Sequence, residues 1–128
     1  MGRVIGVGID IIDVQRVKRL LDMYGDRFAT RIFTSEEIDY SNGMAYPAMH
    51  FAARFAAKEA FVKALGTGFS CGIKWRDIGV VNDERGRPWL ILRGRALGYA
   101  DEMGVEGVHL SISHTKNYAS AVVVLEGE

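Results

Sequence analysis

The chain has 128 residues, with 16 Lys and Arg against 16 Asp and Glu, and 48% of its side chains are hydrophobic. This length predicts one domain over residues 1–128, and the balanced charge predicts neither a nucleic-acid partner nor a membrane surface. No run of about 18 apolar residues occurs, which excludes a membrane-spanning helix. Cys71 is the lone cysteine, so an internal disulfide is excluded. We expect it to be a buried structural thiol in a soluble cytoplasmic protein.

The hydrophobic pattern predicts five strands and five helices in the order β-ααα-α-ββ-α-ββ. Asp13 is suited to cap the first helix, Thr34 begins a capping box, and Gly66 is expected to end the longest helix. This order indicates an α+β fold, with an antiparallel sheet packed against a long helix and shorter helices. We expect strands at 4–12, 78–82, 88–92, 109–114 and 118–125, and helices at 14–24, 26–32, 35–42, 47–65 and 94–103.

The first strand contains a carboxylate where its pattern predicts burial. Asp10 shares one face of the strand with Val4, Gly6 and Gly8, and the other face carries Ile5, Val7, Ile9 and Ile11. Burying an unpaired carboxylate costs roughly several kcal/mol of free energy. Asp10 therefore requires a cation, hydrogen-bond donors or water. The two glycines are expected to leave room beside it.

The longest helix repeats this anomaly at Glu59, which lies inside its apolar stripe. Lys63 follows one turn later, and Arg54 and Lys58 lie toward one flank. One interpretation is an ordinary surface pair between Glu59 and Lys63. The other is a metal-assisted phosphate site, because two carboxylates from different elements can hold Mg²⁺ while the basic side chains contact phosphates.

The predicted hairpin adds His114 at the end of a strand, on the face of Leu110 and Ile112. A histidine there is either a structural residue with satisfied partners or a donor to a phosphate oxygen. Ser113 and Lys116 are close enough in sequence to contribute further donors. No Walker glycine loop, zinc-spaced cluster or nucleophile elbow occurs in the sequence.

Three segments resemble one known family: GVGIDIIDVQRV at 6–17, RFAAKEAFVKALGTG at 54–68 and SISHTKNYASAVVV at 111–124. They are similar to the holo-acyl-carrier-protein synthases, the short, single-domain branch of the 4′-phosphopantetheinyl transferases. The resemblance implies that fold, and an enzyme of fatty acid biosynthesis. It would transfer 4′-phosphopantetheine from coenzyme A to a serine of apo acyl carrier protein, releasing adenosine 3′,5′-bisphosphate.

The resemblance also implies roles for individual residues. Asp10 and Glu59 match the Mg²⁺ ligands, where Mn²⁺ is an alternative ion, and with Lys63 they form the catalytic set. Glu59 is a candidate base for the carrier serine, directly or through a metal-bound water. The residues expected to bind coenzyme A are Arg54, Lys58, Lys63 and His114. A homotrimer with active sites between subunits is implied as well.

The helix after the first strand is expected to dock the carrier protein. Arg16, Arg19 and Met23 form one face that combines charge with an apolar contact. Carrier proteins are acidic, so a basic face suits them, and the family uses this helix for docking. The alternative is a helix face that is simply solvated.

Two other functions remain open on the sequence alone. A non-catalytic module that binds coenzyme A or a nucleotide for regulation would keep the basic residues and need no pair of metal ligands. A metal-dependent nucleotide hydrolase would break down coenzyme A without any carrier protein.

Overall fold

The computed structural model describes residues 2–128, and over that range it confirms the α+β prediction. Within the described residues, five strands and five helices appear in the expected order, and a short 3₁₀ turn at Trp75–Asp77 precedes the second strand. The strands are β1 (Arg3–Asp13), β2 (Ile78–Asn82), β3 (Pro88–Leu92), β4 (Val105–His114) and β5 (Tyr118–Gly127). The helices are α1 (Val14–Tyr24), α2 (Asp26–Ile32), α3 (Ser35–Asn42), α4 (Pro47–Leu65) and α5 (Gly94–Glu102).

The strands form two antiparallel sheets, one with the order β1-β5-β4 and one made of β2 and β3. Helix α4 packs along β1 and β5 on one face of the larger sheet, and most of its side chains are buried there. The other face of that sheet is open in the single chain. On β1 it exposes Val7 by 58%, Ile9 by 66% and Ile11 by 69%, so the strand is buried on one side only.

Local signals start or end three helices where the sequence predicted. The Asp13 side chain accepts a hydrogen bond from Gln15 N at 2.8 Å and so caps α1. Thr34 and Glu37 form the reciprocal capping box of α3. Gly66 ends α4 with a left-handed φ of 81°, a conformation that glycine adopts without a steric penalty.

Gly6 and Gly8 bring β1 into close contact with α4, which corrects the expectation that they leave room beside Asp10. A Cβ on Gly6 would collide with the carbonyl oxygen of Ala64, and one on Gly8 would collide with the carbonyl oxygen of Ala60. The space beside the glycines is therefore filled by helix backbone. Their role is to let the strand and the helix approach each other, which also brings their polar side chains together.

Two further expectations were wrong in detail. Strand β4 begins at Val105, four positions before the expected 109, because the bulge between Val105 and Gly107 hides the alternating pattern. Cys71 is exposed and free, not buried, and it lies in the loop after α4 with a φ of 64°.

Within residues 2–128, no helix is both long and apolar enough to cross a membrane.

Candidate active site

Asp10 and Lys63 meet where β1 passes over the C-terminal half of α4. The Lys63 ammonium donates to Asp10 Oδ1 at 3.0 Å and to the carbonyl oxygen of Ile9 at 3.0 Å. The Asp10 side chain is 16% exposed and the Lys63 side chain 51% exposed. The pair thus lies at the edge of the protein, where a ligand from solvent can reach both groups.

Glu59 lies one turn before Lys63 on the same helix and belongs to the same group of charges. Its pKa is raised above the ordinary value, first by burial and then by the negative charge of Asp10. The positive charges of Lys63 and Arg16 act in the opposite direction. Asp10 and Glu59 therefore repel each other in a half-buried setting, and each favours a cation close to both.

These two carboxylates fit the ligand set of a magnesium ion that is completed by substrate. Among residues 2–128, no group of three or more His, Cys, Asp and Glu side chains is placed to enclose a metal. Magnesium does not require such a cage, because it keeps several waters and takes further oxygens from phosphate. A pair of acids whose mutual repulsion is only partly relieved by Lys63 is consistent with such an open site.

Lys58 corrects the sequence analysis, which expected it to contact coenzyme A. Its side chain is fully buried and its ammonium lies 2.8 Å from Glu37 Oε1. It also donates to the carbonyl oxygens of Trp75, at 3.2 Å, and Ile78. Three protein oxygens therefore surround an ammonium that has three hydrogens, and Lys58 joins α4 to α3 and to the start of β2.

Arg54 is also buried, with 4% of its surface exposed. Its guanidinium lies 4.1 Å from the centre of the Tyr40 ring and donates to Asn82 Oδ1 at 2.6 Å. A longer bond of 3.4 Å runs to the carbonyl oxygen of His50. Its Nε–H is buried and has no partner among the described residues.

His114 is exposed at the end of β4, on the face of the sheet that α4 covers. Its ring lies 5.4 Å from the ring of His50, in an edge-to-face arrangement. This contact places His114 beside the N-terminal half of α4 and on the same side as Arg54. Because Glu59 follows Arg54 by five residues, roughly 7.5 Å of helix separates this group from the two carboxylates.

The three predicted docking residues are all exposed on α1. Met23 has 70% of its surface exposed, which is unusual for an apolar side chain of this size. Arg16 is close enough to Glu59 for its charge to lower the pKa of that acid. The basic face therefore begins beside the carboxylates and extends away from them along α1.

A groove of about 610 Å³ lies between α1, α2 and the start of α4, but it does not include Asp10, Glu59 or Lys63. The Asp10 side chain is 16% exposed and the Lys63 side chain 51% exposed, so a ligand reaches this group from the protein surface and not through the groove.

The sequence analysis missed the partners of the buried basic residues. Glu37 was interpreted as a capping residue alone, and Tyr40, Asn82 and His50 were not considered. His50 had a detectable signal, since it precedes Arg54 by four residues and so faces the same side of α4. No comparable signal indicated Asn82, because its contact with Arg54 spans 28 residues.

Comparisons with known proteins show the family to which this chain is similar. A model of the 4′-phosphopantetheinyl transferase superfamily matches residues 6–123. The holo-[acyl-carrier-protein] synthase of Maridesulfovibrio salexigens is 51% identical over 96% of this chain and 98% of its own. That of Syntrophus aciditrophicus is 47% identical over 95% of each chain. A crystal structure of a holo-(acyl-carrier-protein) synthase from Bacillus anthracis, in complex with CoA (3′,5′-ADP), is 41% identical, covers 98% of each chain and superimposes with a TM-score of 0.81.

Proposed function

The chain belongs to the 4′-phosphopantetheinyl transferase superfamily, among the holo-[acyl-carrier-protein] synthases, and we propose the reaction and the residues by which it acts. It transfers the 4′-phosphopantetheine group of coenzyme A to a serine of apo acyl carrier protein and releases adenosine 3′,5′-bisphosphate. Residues 1–128 act as one transferase domain in the cytoplasm, and the holo carrier protein serves fatty acid biosynthesis.

One observation supports this function above the others. Asp10, Glu59 and Lys63 come from two elements and lie together where the glycines of β1 let it approach α4. An ordinary surface pair does not need a second carboxylate whose pKa is raised by burial and by a neighbouring acid. The group is suited to a phosphoryl transfer, in which charge must be balanced around a pyrophosphate.

Asp10 and Glu59 are the proposed ligands of Mg²⁺, with Mn²⁺ as an alternative ion. When bound, the ion supplies positive charge beside the pyrophosphate, where negative charge grows on the leaving bisphosphate. The raised pKa of Glu59 supports this assignment, because burial and Asp10 both make the charged form of Glu59 costly without a cation.

Lys63 has a separate role at the edge of the same group. Its ammonium is half exposed and holds Asp10 in place, and one of its three hydrogens is not used by Asp10 or Ile9. That hydrogen is available to a phosphate oxygen of coenzyme A. Lys63 thereby links the position of Asp10 to the position of the substrate.

Glu59 is the proposed base for the carrier serine. It is the carboxylate of the group on α4, next to Lys63, and a positioned carboxylate can accept the proton of an attacking hydroxyl. The proton of the serine hydroxyl moves to a carboxylate oxygen of Glu59, directly or through a water, as the serine oxygen attacks phosphorus. Arg54 and His114 are the proposed contacts to the remaining phosphate of coenzyme A.

A trimer is supported by the open face of the larger sheet. Val7, Ile9 and Ile11 are more than half exposed, and Val122 lies opposite Ile9 on the same face. An exposed apolar patch of this kind marks a surface that associates with another protein. We assign it to copies of this chain, as the resemblance to the trimeric family implies.

Ile9→Glu tests that assignment, because it places a charge in the centre of the patch. We expect wild type to sediment as a trimer and Ile9→Glu as a monomer with much lower activity. The control is Lys18→Glu, on helix α1 outside the sheet, which should leave the trimer intact. A fully active wild-type monomer would contradict a shared active site.

Carrier docking is assigned to Arg16, Arg19 and Met23. Their exposure on α1 and the closeness of Arg16 to Glu59 support this assignment, because a docked carrier must place its serine at the carboxylates. An acidic carrier surface would be attracted to the two arginines over about 8 Å at physiological ionic strength.

The reaction is tested by incubating the protein with coenzyme A, Mg²⁺ and an apo acyl carrier protein, followed by mass spectrometry of the carrier. We expect the carrier to gain one phosphopantetheine group and the solution to gain adenosine 3′,5′-bisphosphate. A carrier whose acceptor serine is replaced by alanine is the matched control. Binding of coenzyme A with no transfer would favour a regulatory module, and its breakdown without a carrier would favour a hydrolase.

A further inference from the structure

Two histidines and an arginine converge beside the N-terminal half of α4. The His50 ring lies 5.4 Å from the His114 ring and 5.9 Å from the Tyr40 ring, edge to face in both cases. Arg54 follows one turn later and stacks on Tyr40. Its guanidinium forms no hydrogen bond with a carboxylate among the described residues. We call these four side chains, His50, His114, Arg54 and Tyr40, the histidine cluster.

The histidine cluster contains three groups that carry or can carry positive charge. They are His50 and Arg54 of α4 and His114 of β4, whereas Tyr40 of α3 and Asn82 of β2 add no positive charge. Glu37 acts on Arg54 through space, but its carboxylate is bonded to Lys58 and to two backbone amides. No carboxylate is therefore in contact with the imidazole of His50 among the described residues.

This environment favours the neutral form of His50. Burial lowers its pKa first, and the positive charges of His114 and Arg54 lower it further. A negative ligand would act in the opposite direction, because it offsets both cations and accepts a hydrogen bond from a protonated ring. Arg54, whose Nε–H is buried without a partner among the described residues, is a second cation whose charge such a ligand would offset.

We propose that His50 is a further substrate-binding residue, which donates with His114 to a phosphate of coenzyme A and takes up a proton when that phosphate binds. The proton comes from the solvent and goes to a ring nitrogen of His50, and no bond to phosphorus changes. The inference rests on the proposed function, which assigns Arg54 and His114 to coenzyme A. It adds His50, which neither the resemblance nor the sequence analysis singled out.

The sign of the pH dependence follows from this linkage. In the free protein the pKa of His50 is below its ordinary value, so the ring is neutral near pH 7. If the bound phosphate raises that pKa, binding takes up a proton between the two values. The affinity for coenzyme A should therefore increase as the pH falls through the pKa of the complex, and level off below the pKa of the free protein.

The test is calorimetry of coenzyme A binding in two buffers of different ionisation enthalpy, which counts the protons taken up. His50→Gln keeps an amide donor and removes the titrating ring. The matched control is His109→Gln, which makes the same change at a histidine of β4 that pairs with Glu126 of β5, away from the histidine cluster. We expect proton uptake by wild type and His109→Gln, and its loss in His50→Gln. At about pH 6.5 the His50→Gln affinity should be roughly ten-fold weaker, and at about pH 8.5 close to wild type.

Two further measurements keep the result clear. His50→Phe preserves the aromatic contacts with Tyr40 and His114, and its proton uptake should be lost as in His50→Gln even if the glutamine variant folds poorly. An NMR titration of the wild-type imidazoles should show that coenzyme A raises the pKa of His50. Equal proton uptake in wild type and both variants would overturn the inference alone, whereas no binding of coenzyme A by wild type would overturn the proposed function.

Discussion

Two lysines about 1.4 turns apart on helix α4 each pair with a carboxylate, and the two pairs differ in burial and in their further partners. Lys58 and Glu37 are fully buried at 2.8 Å, and Lys63 and Asp10 are at 3.0 Å with Lys63 half exposed. All hydrogens of the buried ammonium are directed to protein oxygens. The exposed ammonium lies beside a second carboxylate, Glu59, whose pKa is raised.

Burial determines the different roles of the two pairs. Removing both charges of a buried pair from water is costly, and only a complete set of hydrogen bonds offsets the cost. Glu37 has that set, because it also accepts from Thr34 N at 2.7 Å and from Val80 N at 2.8 Å. The Lys63 pair is incomplete and accessible, so it can exchange partners with a substrate. We therefore assign Lys58 to stability and Lys63 to catalysis.

The strongest test of the exposed group is to remove one of its acids. Asp10→Ala or Glu59→Ala should reduce the turnover of carrier modification by roughly 10³-fold, because the charge that organises the pyrophosphate is lost. Circular dichroism and thermal melting should show an intact fold. Near-normal turnover of either variant at low Mg²⁺ would disprove the assignment of the two acids to the metal.

The buried pair should respond in stability rather than in chemistry. Lys58→Met leaves the Glu37 carboxylate buried and unpaired, and should lower the free energy of unfolding by about 3–5 kcal/mol. The molecules that remain folded should bind coenzyme A normally. Adding Glu37→Gln should recover most of the loss, since the uncompensated charge is then absent. A stable Lys58→Met protein that cannot bind coenzyme A would instead restore Lys58 as a substrate ligand.

Lys63→Met sharpens the comparison because it makes the same change at the exposed pair. We expect turnover or coenzyme A affinity to fall by roughly 10²-fold, with little change in melting temperature. Lys18→Met is the matched control, since Lys18 forms an exposed pair with Asp22 at 2.9 Å away from the carboxylates. If melting collapses in Lys63→Met while its folded fraction works normally, Lys63 is a structural residue like Lys58.

A smaller effect is expected on the basic face of α1. Reversing both Arg16 and Arg19 to Glu should raise the Michaelis constant for the carrier protein by roughly 10-fold, with a much smaller effect on coenzyme A. Added salt should imitate the change in wild type and have little further effect on the double variant. Met23→Ala should weaken docking without altering the salt dependence. An unchanged Michaelis constant for the carrier protein in the double variant would show that this face is solvated and does not bind the carrier.

The smallest effect concerns the stability of the metal-free protein. Because the pKa of Glu59 is raised in the fold, the folded protein holds that proton more tightly than the unfolded chain does. The cost of ionising Glu59 therefore appears as the pH rises above its unfolded pKa and is complete above its folded pKa. At pH 7 without metal, Glu59→Gln should melt a few degrees higher than wild type, roughly.

This difference should disappear in acid, where Glu59 is protonated in both states. Millimolar Mg²⁺ should raise the melting temperature of wild type and have little effect on Glu59→Gln. Identical melting of the two proteins at neutral pH would show that burial and Asp10 do not make ionised Glu59 costly to the fold.

Much of the fold could be predicted from local signals. The bounds of α2, α4, β2 and β3 match those expected, because caps, prolines and glycines mark their ends in the sequence. The start of β4 could not be predicted, since its bulge interrupts the alternation. The candidate site is predicted to the extent that Asp10, Glu59 and Lys63 stood out from their apolar surroundings and matched a family motif.

The sequence by itself determined which residues share a face, and only the tertiary structure decided what covers that face. The helical period placed Arg54 and Lys58 together on one flank of α4, but α3 and β2 cover that flank and bury both. The strand period placed Val7, Ile9 and Ile11 together, yet no element within residues 2–128 packs over them. Periodicity is a property of one element, whereas burial depends on contacts between residues far apart in the chain. For that reason two lysines five residues apart, Lys58 and Lys63, have different roles.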